Sequence, residues 1–146
     1  MIQLEEKDSV RKILNHAYAT SKEISSEKER VEVLCDIAEI MLEMEQKSGA
    51  KKILGEAFDR SKNISSASFR ALVLCDIAKI FGKVDEEKRA GNLLHKALEG
   101  FEHISFSIDQ KARALAEITG TMAKIGEVDI ALSLAEELSN KYGRAA

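Results

Sequence analysis

The stretch Val33-Leu34-Cys35-Asp36-Ile37-Ala38 returns as Val73-Leu74-Cys75-Asp76-Ile77-Ala78, forty residues later. A looser copy follows at Ala114-Leu115-Ala116-Glu117-Ile118-Thr119, forty-one residues after the second. Self-similarity at a fixed period marks stacked structural repeats, so this spacing decides the fold before any single segment does. Outward from the repeated core, Arg11-Lys12-Ile13-Leu14-Asn15-His16-Ala17-Tyr18 matches Lys51-Lys52-Ile53-Leu54-Gly55-Glu56-Ala57-Phe58. In the same register Glu23-Ile24-Ser25-Ser26 matches Asn63-Ile64-Ser65-Ser66.

Within each copy apolar residues recur at intervals of three and four, the spacing of one helical face. A first helix is expected over Leu4 to Thr20, with Val10, Ile13, Leu14, Ala17 and Tyr18 on one face. Ser26 with Glu29 predicts a capping box: the hydroxyl takes the amide three residues on, and the carboxylate returns to the cap amide. The second helix carries Val31, Leu34, Ile37, Ala38 and Met41 and is expected to fade around Lys47-Ser48-Gly49. Glycine suits a helix end because positive φ costs it nothing. The fourth helix holds Ala71, Leu74, Ile77, Ala78 and Phe81 and stops at Gly82-Lys83-Val84-Asp85. The fifth holds Leu93, Leu94, Ala97, Leu98 and Phe101, and Ser107 with Gln110 predicts another capping box. The sixth holds Ala112, Leu115, Ile118, Thr119 and Met122 and ends at Lys124-Ile125-Gly126.

A terminal helix over 129–142 completes seven helices, in units of about 11–50, 51–91 and 92–130. Short connections force antiparallel hairpins. A single hairpin leaves part of its apolar stripe bare, so hairpins stack into one core. The expected fold is therefore all-α, one helical-repeat domain over residues 1–146.

Composition bounds the function. The 146 residues carry 22 basic and 25 acidic side chains, a net charge of −3. That balance argues against nucleic acid, whose binders present a strongly basic face. No run approaches the roughly 18 apolar residues of a membrane span, and the start Met1-Ile2-Gln3-Leu4-Glu5-Glu6 lacks signal-peptide character. A cytoplasmic location without a membrane partner is expected. With no proline and no tryptophan, and no period-two alternation of strand formers, the composition also points to helices.

The third unit carries a family resemblance. Leu115, Ile118, Thr119, Met122, Gly126, Ala131, Ala135 and Leu138 resemble the tetratricopeptide pattern. Its large slot is Leu34, Leu74 and Leu115, and its large–small pair is Ile37-Ala38, Ile77-Ala78 and Ile118-Thr119. Its closing large slot is Met41, Phe81 and Met122. The resemblance covers roughly residues 31 to 142. The period exceeds the family's usual length of about 34 residues, and no unit ends in the family's frequent proline. The resemblance implies a right-handed α–α superhelix that serves as scaffold or adaptor, holding a peptide in a concave groove. Carried over residue by residue, the groove positions are Glu32, Cys35, Glu39 and Glu43, then Leu72, Cys75, Lys79 and Lys83, then Arg113, Ala116, Gly120 and Lys124. That wall runs from glutamates to lysines and an arginine, a polarity that would set the direction of a bound peptide.

Other chemistry has little to build on. Cys35 and Cys75 occupy one repeat position, but adjacent helices lie roughly 10 Å apart, too far for an undistorted disulfide. Without further ligands at metal-binding spacing they read as small packing thiols. Asp36, Asp76 and Glu117 form an acidic ladder, read as a solvated face or as partners of basic residues such as Arg30, Arg70 and Lys111 on other helices. His16, His95 and His103 share no repeat position. With no serine elbow, phosphate-cradling glycine loop or metal motif, neither enzymatic activity nor a cofactor is expected. The terminal helix places Val128, Ile130, Ala131, Leu132, Leu134, Ala135, Leu138 and Tyr142 on a broad arc. Ile130 and Leu134 flank that arc as a candidate self-association face, the alternative being a structural homo-oligomer or homodimer.

Overall fold

A computed structural model of the chain describes residues 4–102, 108–124, 126, 132 and 136. The described residues contain no strand and form six α-helices. These are α1 Leu4–Ser21, α2 Glu27–Glu43, α3 Lys47–Ser61, α4 Ala67–Lys83, α5 Glu87–Glu102 and α6 Ile108–Lys124. Of the expected terminal helix only Leu132 and Glu136 are described, both helical. The loop holding Ser107 lies outside the described residues. The chain divides into two compact units, Met1–Asn63 and Ile64–Ala146.

In the first unit α2 packs against both α1 and α3. Ser26, in an extended conformation, starts α2: its hydroxyl accepts from the Glu29 amide at 3.3 Å. A serine cap of this kind contributes about 1 kcal/mol. The other end of α2 differs from the expectation. The helix stops at Glu43, and Glu45 takes the left-handed conformation with φ 61°. The Gln46 amide donates to the Met41 carbonyl at 2.8 Å and the Glu45 amide to the Leu42 carbonyl at 2.9 Å. Those paired bonds satisfy carbonyls that the last turn leaves open. Gly49 is therefore not a terminator. It lies in the first turn of α3, where a Cβ would collide with the terminal methyl of Met41.

Leu14, Ile37 and Met44 form a core cluster, with Val10, Ala17, Tyr18, Val33, Met41 and Ile53 packed on it. Ala38, Ala50 and Ala57 are fully buried and keep α2 and α3 close. Ile13, expected on the same face of α1, is exposed. Neighbouring positions on a helix point about 100° apart, and Leu14 takes the inward one.

In the second unit α4 packs on α5, and α6 packs on both. The local geometry of the first unit recurs. Ser66 caps α4 by accepting from the Phe69 amide at 3.3 Å. Asp85 holds φ 62°, and the Glu86 amide donates to the Phe81 carbonyl at 3.1 Å. Within the first unit the ends of α1 and α3 also match. Ser21 donates to the Tyr18 carbonyl and Ser61 to the Phe58 carbonyl. Lys22 and Lys62 each sit 4.8 Å from the ring of Tyr18 and Phe58 respectively. The forty-residue period is thus a repeat of backbone and side-chain geometry. α4 buries Ala71, Val73, Leu74, Cys75, Ile77, Ala78, Ile80 and Phe81. Leu93, Leu94, Ala97, Ile118 and Met122 are buried from α5 and α6. Gly126 follows α6 at φ 91°, as its place at the end of the sixth helix predicts.

Candidate binding surface

Each of α2 and α4 keeps one lengthwise stripe open. On α2 it is Glu29, Glu32, Asp36, Glu39 and Glu43, all exposed, at spacings of three and four. On α4 the repeat-equivalent stripe is Phe69, Leu72, Asp76, Lys79 and Lys83, of which Lys79 is half-buried and the rest exposed. On α6 Gly120 and Lys124 are exposed and Glu117 is half-buried, while the side chain of Arg113 lies outside the described residues. Glu32, Glu39, Glu43, Lys83 and Lys124 are therefore surface charges.

Cys35 and Cys75 are not on this surface. Both are buried and neither is in a disulfide. The buried positions Val31, Leu34 and Ala38 set the inward direction of α2, and Cys35 lies one turn from Val31 and Ala38 on the flank of that face. The open stripe is centred one residue later, on Asp36 and Asp76. The Cys75 thiol is pushed up to about 12, first by burial and then by the nearby Glu117 and Asp76 carboxylates. It is protonated and a poor nucleophile at neutral pH. Among the described residues no group of three His, Cys, Asp or Glu side chains is placed to hold a metal ion. His16 is exposed, His95 is half-buried and His103 lies outside the described residues.

Asp36 and Asp76 of the acidic ladder are exposed. Glu117 is half-buried and bridges two helices: Lys79 Nζ of α4 donates to its Oε1 at 2.5 Å. That bond, against the opposing effect of partial burial, raises the Lys79 pKa. Lys79 is thus a strut between α4 and α6. Arg70 donates to the Ile64 carbonyl at 2.8 Å, holding the loop that leads into α4.

On α2 the stripe sets like charges next to one another at i,i+3 and i,i+4, which costs a few tenths of a kcal/mol per pair. Lys28, 3.4 Å from Glu32, offsets part of this repulsion.

A second polar cluster was not apparent from the chain alone. The Tyr18 hydroxyl of α1 donates to Glu56 Oε2 of α3 at 2.6 Å. Arg60 Nε donates to the other Glu56 oxygen at 3.4 Å, and Arg60 Nη1 lies 3.7 Å from Glu27 Oε1 of α2. Of these links only Glu56–Arg60, four apart on one helix, had a sequence signal. The Glu56 hydrogen bond first, then burial and the Glu56 charge, raise the Tyr18 pKa.

Among the described residues no helix is long and apolar enough to cross a membrane. Set against family models, curated proteins and solved structures, the chain finds no significant match.

Proposed function

We propose that this chain is a cytoplasmic protein-interaction module, a right-handed tetratricopeptide-like solenoid that holds a partner peptide and catalyses no reaction. One observation carries the reading. Repeat-equivalent residues on the open stripes have opposite charge: exposed Glu43 on α2 stands where α4 has exposed Lys83. At the start of the α4 stripe, exposed Phe69 and Leu72 stand where α2 has Glu29 and Glu32. Apolar anchors beside lysines suit a peptide with apolar side chains followed by acidic ones, and the glutamates of α2 suit a basic segment. Charge complementarity of this kind sets direction and selectivity more than raw affinity.

Selection from a random peptide library tests it. The expected winners carry apolar residues followed by acidic ones, and lose binding to the Lys83→Glu/Lys124→Glu variant. Lys79 is left in place, because replacing it would strand Glu117. Winners without that order, or equal binding to the variant, would overturn the proposal.

Self-association through the terminal helix is favoured by one feature: Leu132 is 60% exposed. The candidate residues Ile130 and Leu134 lie outside the described residues. A mass in solution that stays monomeric across concentration, unchanged by Leu132→Glu, would remove this second reading.

A further inference from the structure

The described helices of the first unit are held unequally. α2 and α3 bury Val31, Leu34, Ala38, Ala50, Leu54 and Ala57. These residues are not part of the Leu14–Ile37–Met44 cluster, on which α1 rests. α3 is also fastened to α2 at two further points. Gly49 leaves room for the end of the Met41 side chain, and Arg60 lies 3.7 Å from Glu27.

α1 is held more lightly. Of its 18 residues it buries two, Leu14 and Ser21. The Ser21 hydroxyl donates to the Tyr18 carbonyl of the same helix, so its bond is spent within α1. Val10, Ala17 and Tyr18 are half-buried against the cluster. The Tyr18 hydroxyl adds a polar tie, donating to Glu56 of α3 at 2.6 Å. Breaking that tie strands no charge, because the other Glu56 oxygen accepts from Arg60 on the same helix. An element with few buried apolar contacts opens at a free energy below that of global unfolding.

We infer that α1 is a strap, which lifts as one unit while α2 and α3 stay packed on each other. Leu14 is its apolar anchor and the Tyr18–Glu56 bond its latch. Lifting removes cover from Ile37 and Met44, and from Val33, Met41 and Ile53 beside them. The open state therefore offers an apolar strip on α2 and α3 that the closed state covers. The seam containing Leu34, Ala38, Leu54 and Ala57 is kept in both states.

Native-state hydrogen exchange of the intact chain, read by NMR over sub-denaturing urea, tests the strap. Amides of residues 11–18 are expected to share one opening, about tenfold or more above that of the centre of α2 in population. Its urea dependence should be the shallower, because lifting one helix exposes less surface than unfolding all three. Two variants separate the motions. Ser26→Ala removes a cap of α2 that the open state still contains. It should speed exchange at the centre of α2 about fivefold and leave α1 unchanged. Tyr18→Phe removes the latch and should speed exchange in α1 about fivefold. Circular dichroism checks that both variants remain helical. Equal rates and urea slopes in α1 and α2 would overturn the proposal, as would a Ser26→Ala variant that speeds both alike. So would a graded rise along α1, which is fraying from one end, or α1 rates unchanged by Tyr18→Phe.

Discussion

Glu45 and Asp85, forty residues apart, hold the same left-handed backbone conformation, at φ 61° and 62°. Each lies just beyond a helix, α2 or α4, and each is followed by an amide that reaches back five residues to Met41 or Phe81. L-residues resist this region because Cβ crowds the following carbonyl, and glycine usually occupies it. Glu45→Gly and Asp85→Gly are therefore expected to stabilise the chain by about 1 kcal/mol each. Glu45→Val should destabilise it, since a β-branched residue is a true outlier there. Thermal denaturation of the three variants checks the order.

Gly49 separates two opposing effects. Alanine in its place gains up to about 1 kcal/mol of helix propensity, but the new methyl must push aside the end of the Met41 side chain. That side chain is flexible, so Gly49→Ala should be close to neutral. In a Met41→Ala background the obstacle is gone, and the same change should stabilise by most of the propensity gain. A double-mutant cycle by urea unfolding measures the coupling, and additive effects would contradict this geometry.

The Tyr18–Glu56 bond gives stability a defined alkaline limit. Folding raises the Tyr18 pKa above its ordinary value of 10.0, chiefly because the neutral hydroxyl donates to Glu56. A group whose pKa is raised on folding adds stability that is complete below the unfolded value. That stability is lost as pH rises through the folded value. Tyr18→Phe should cost about 1 kcal/mol at pH 7 and should flatten the fall in stability above roughly pH 10. Urea midpoints at both pH values report it; an unchanged alkaline slope would remove the assignment.

Lys79 and Glu117 hold α4 to α6, yet each is more than a third exposed. Solvent screening limits such a pair to about 1 kcal/mol or less. The coupling in a Lys79→Ala/Glu117→Ala cycle should be of that size and should shrink between low and 1 M salt. Lys79→Glu should cost more than Lys79→Ala, because it faces two carboxylates toward each other.

The inward faces of α2 and α4 were legible in the chain because periodicity is a local property. Leu34, Ile37 and Ala38, with Leu74, Ile77 and Ala78, are buried where their spacing places them. The Ser26 cap was legible for the same reason, a hydroxyl acting within three residues of itself. Helix ends were less so: the left-handed turns are carried by Glu45 and Asp85, which lack the glycine signature.

What periodicity cannot specify is which neighbour covers a face. It put Ile13 in the core, where the structure exposes it, while the burial of Cys35 and Cys75 agrees with their reading as packing thiols and not with the groove-wall place that the family resemblance implied. The same resemblance left Lys79 as a groove cation, where Glu117, thirty-eight residues away, holds it. The sequence by itself determined the helices, their period and their inward stripes, since these depend on residues within a turn or two. Only tertiary structure decided which flank is covered and which charge is paired, because burial and ion pairing are properties of two elements meeting.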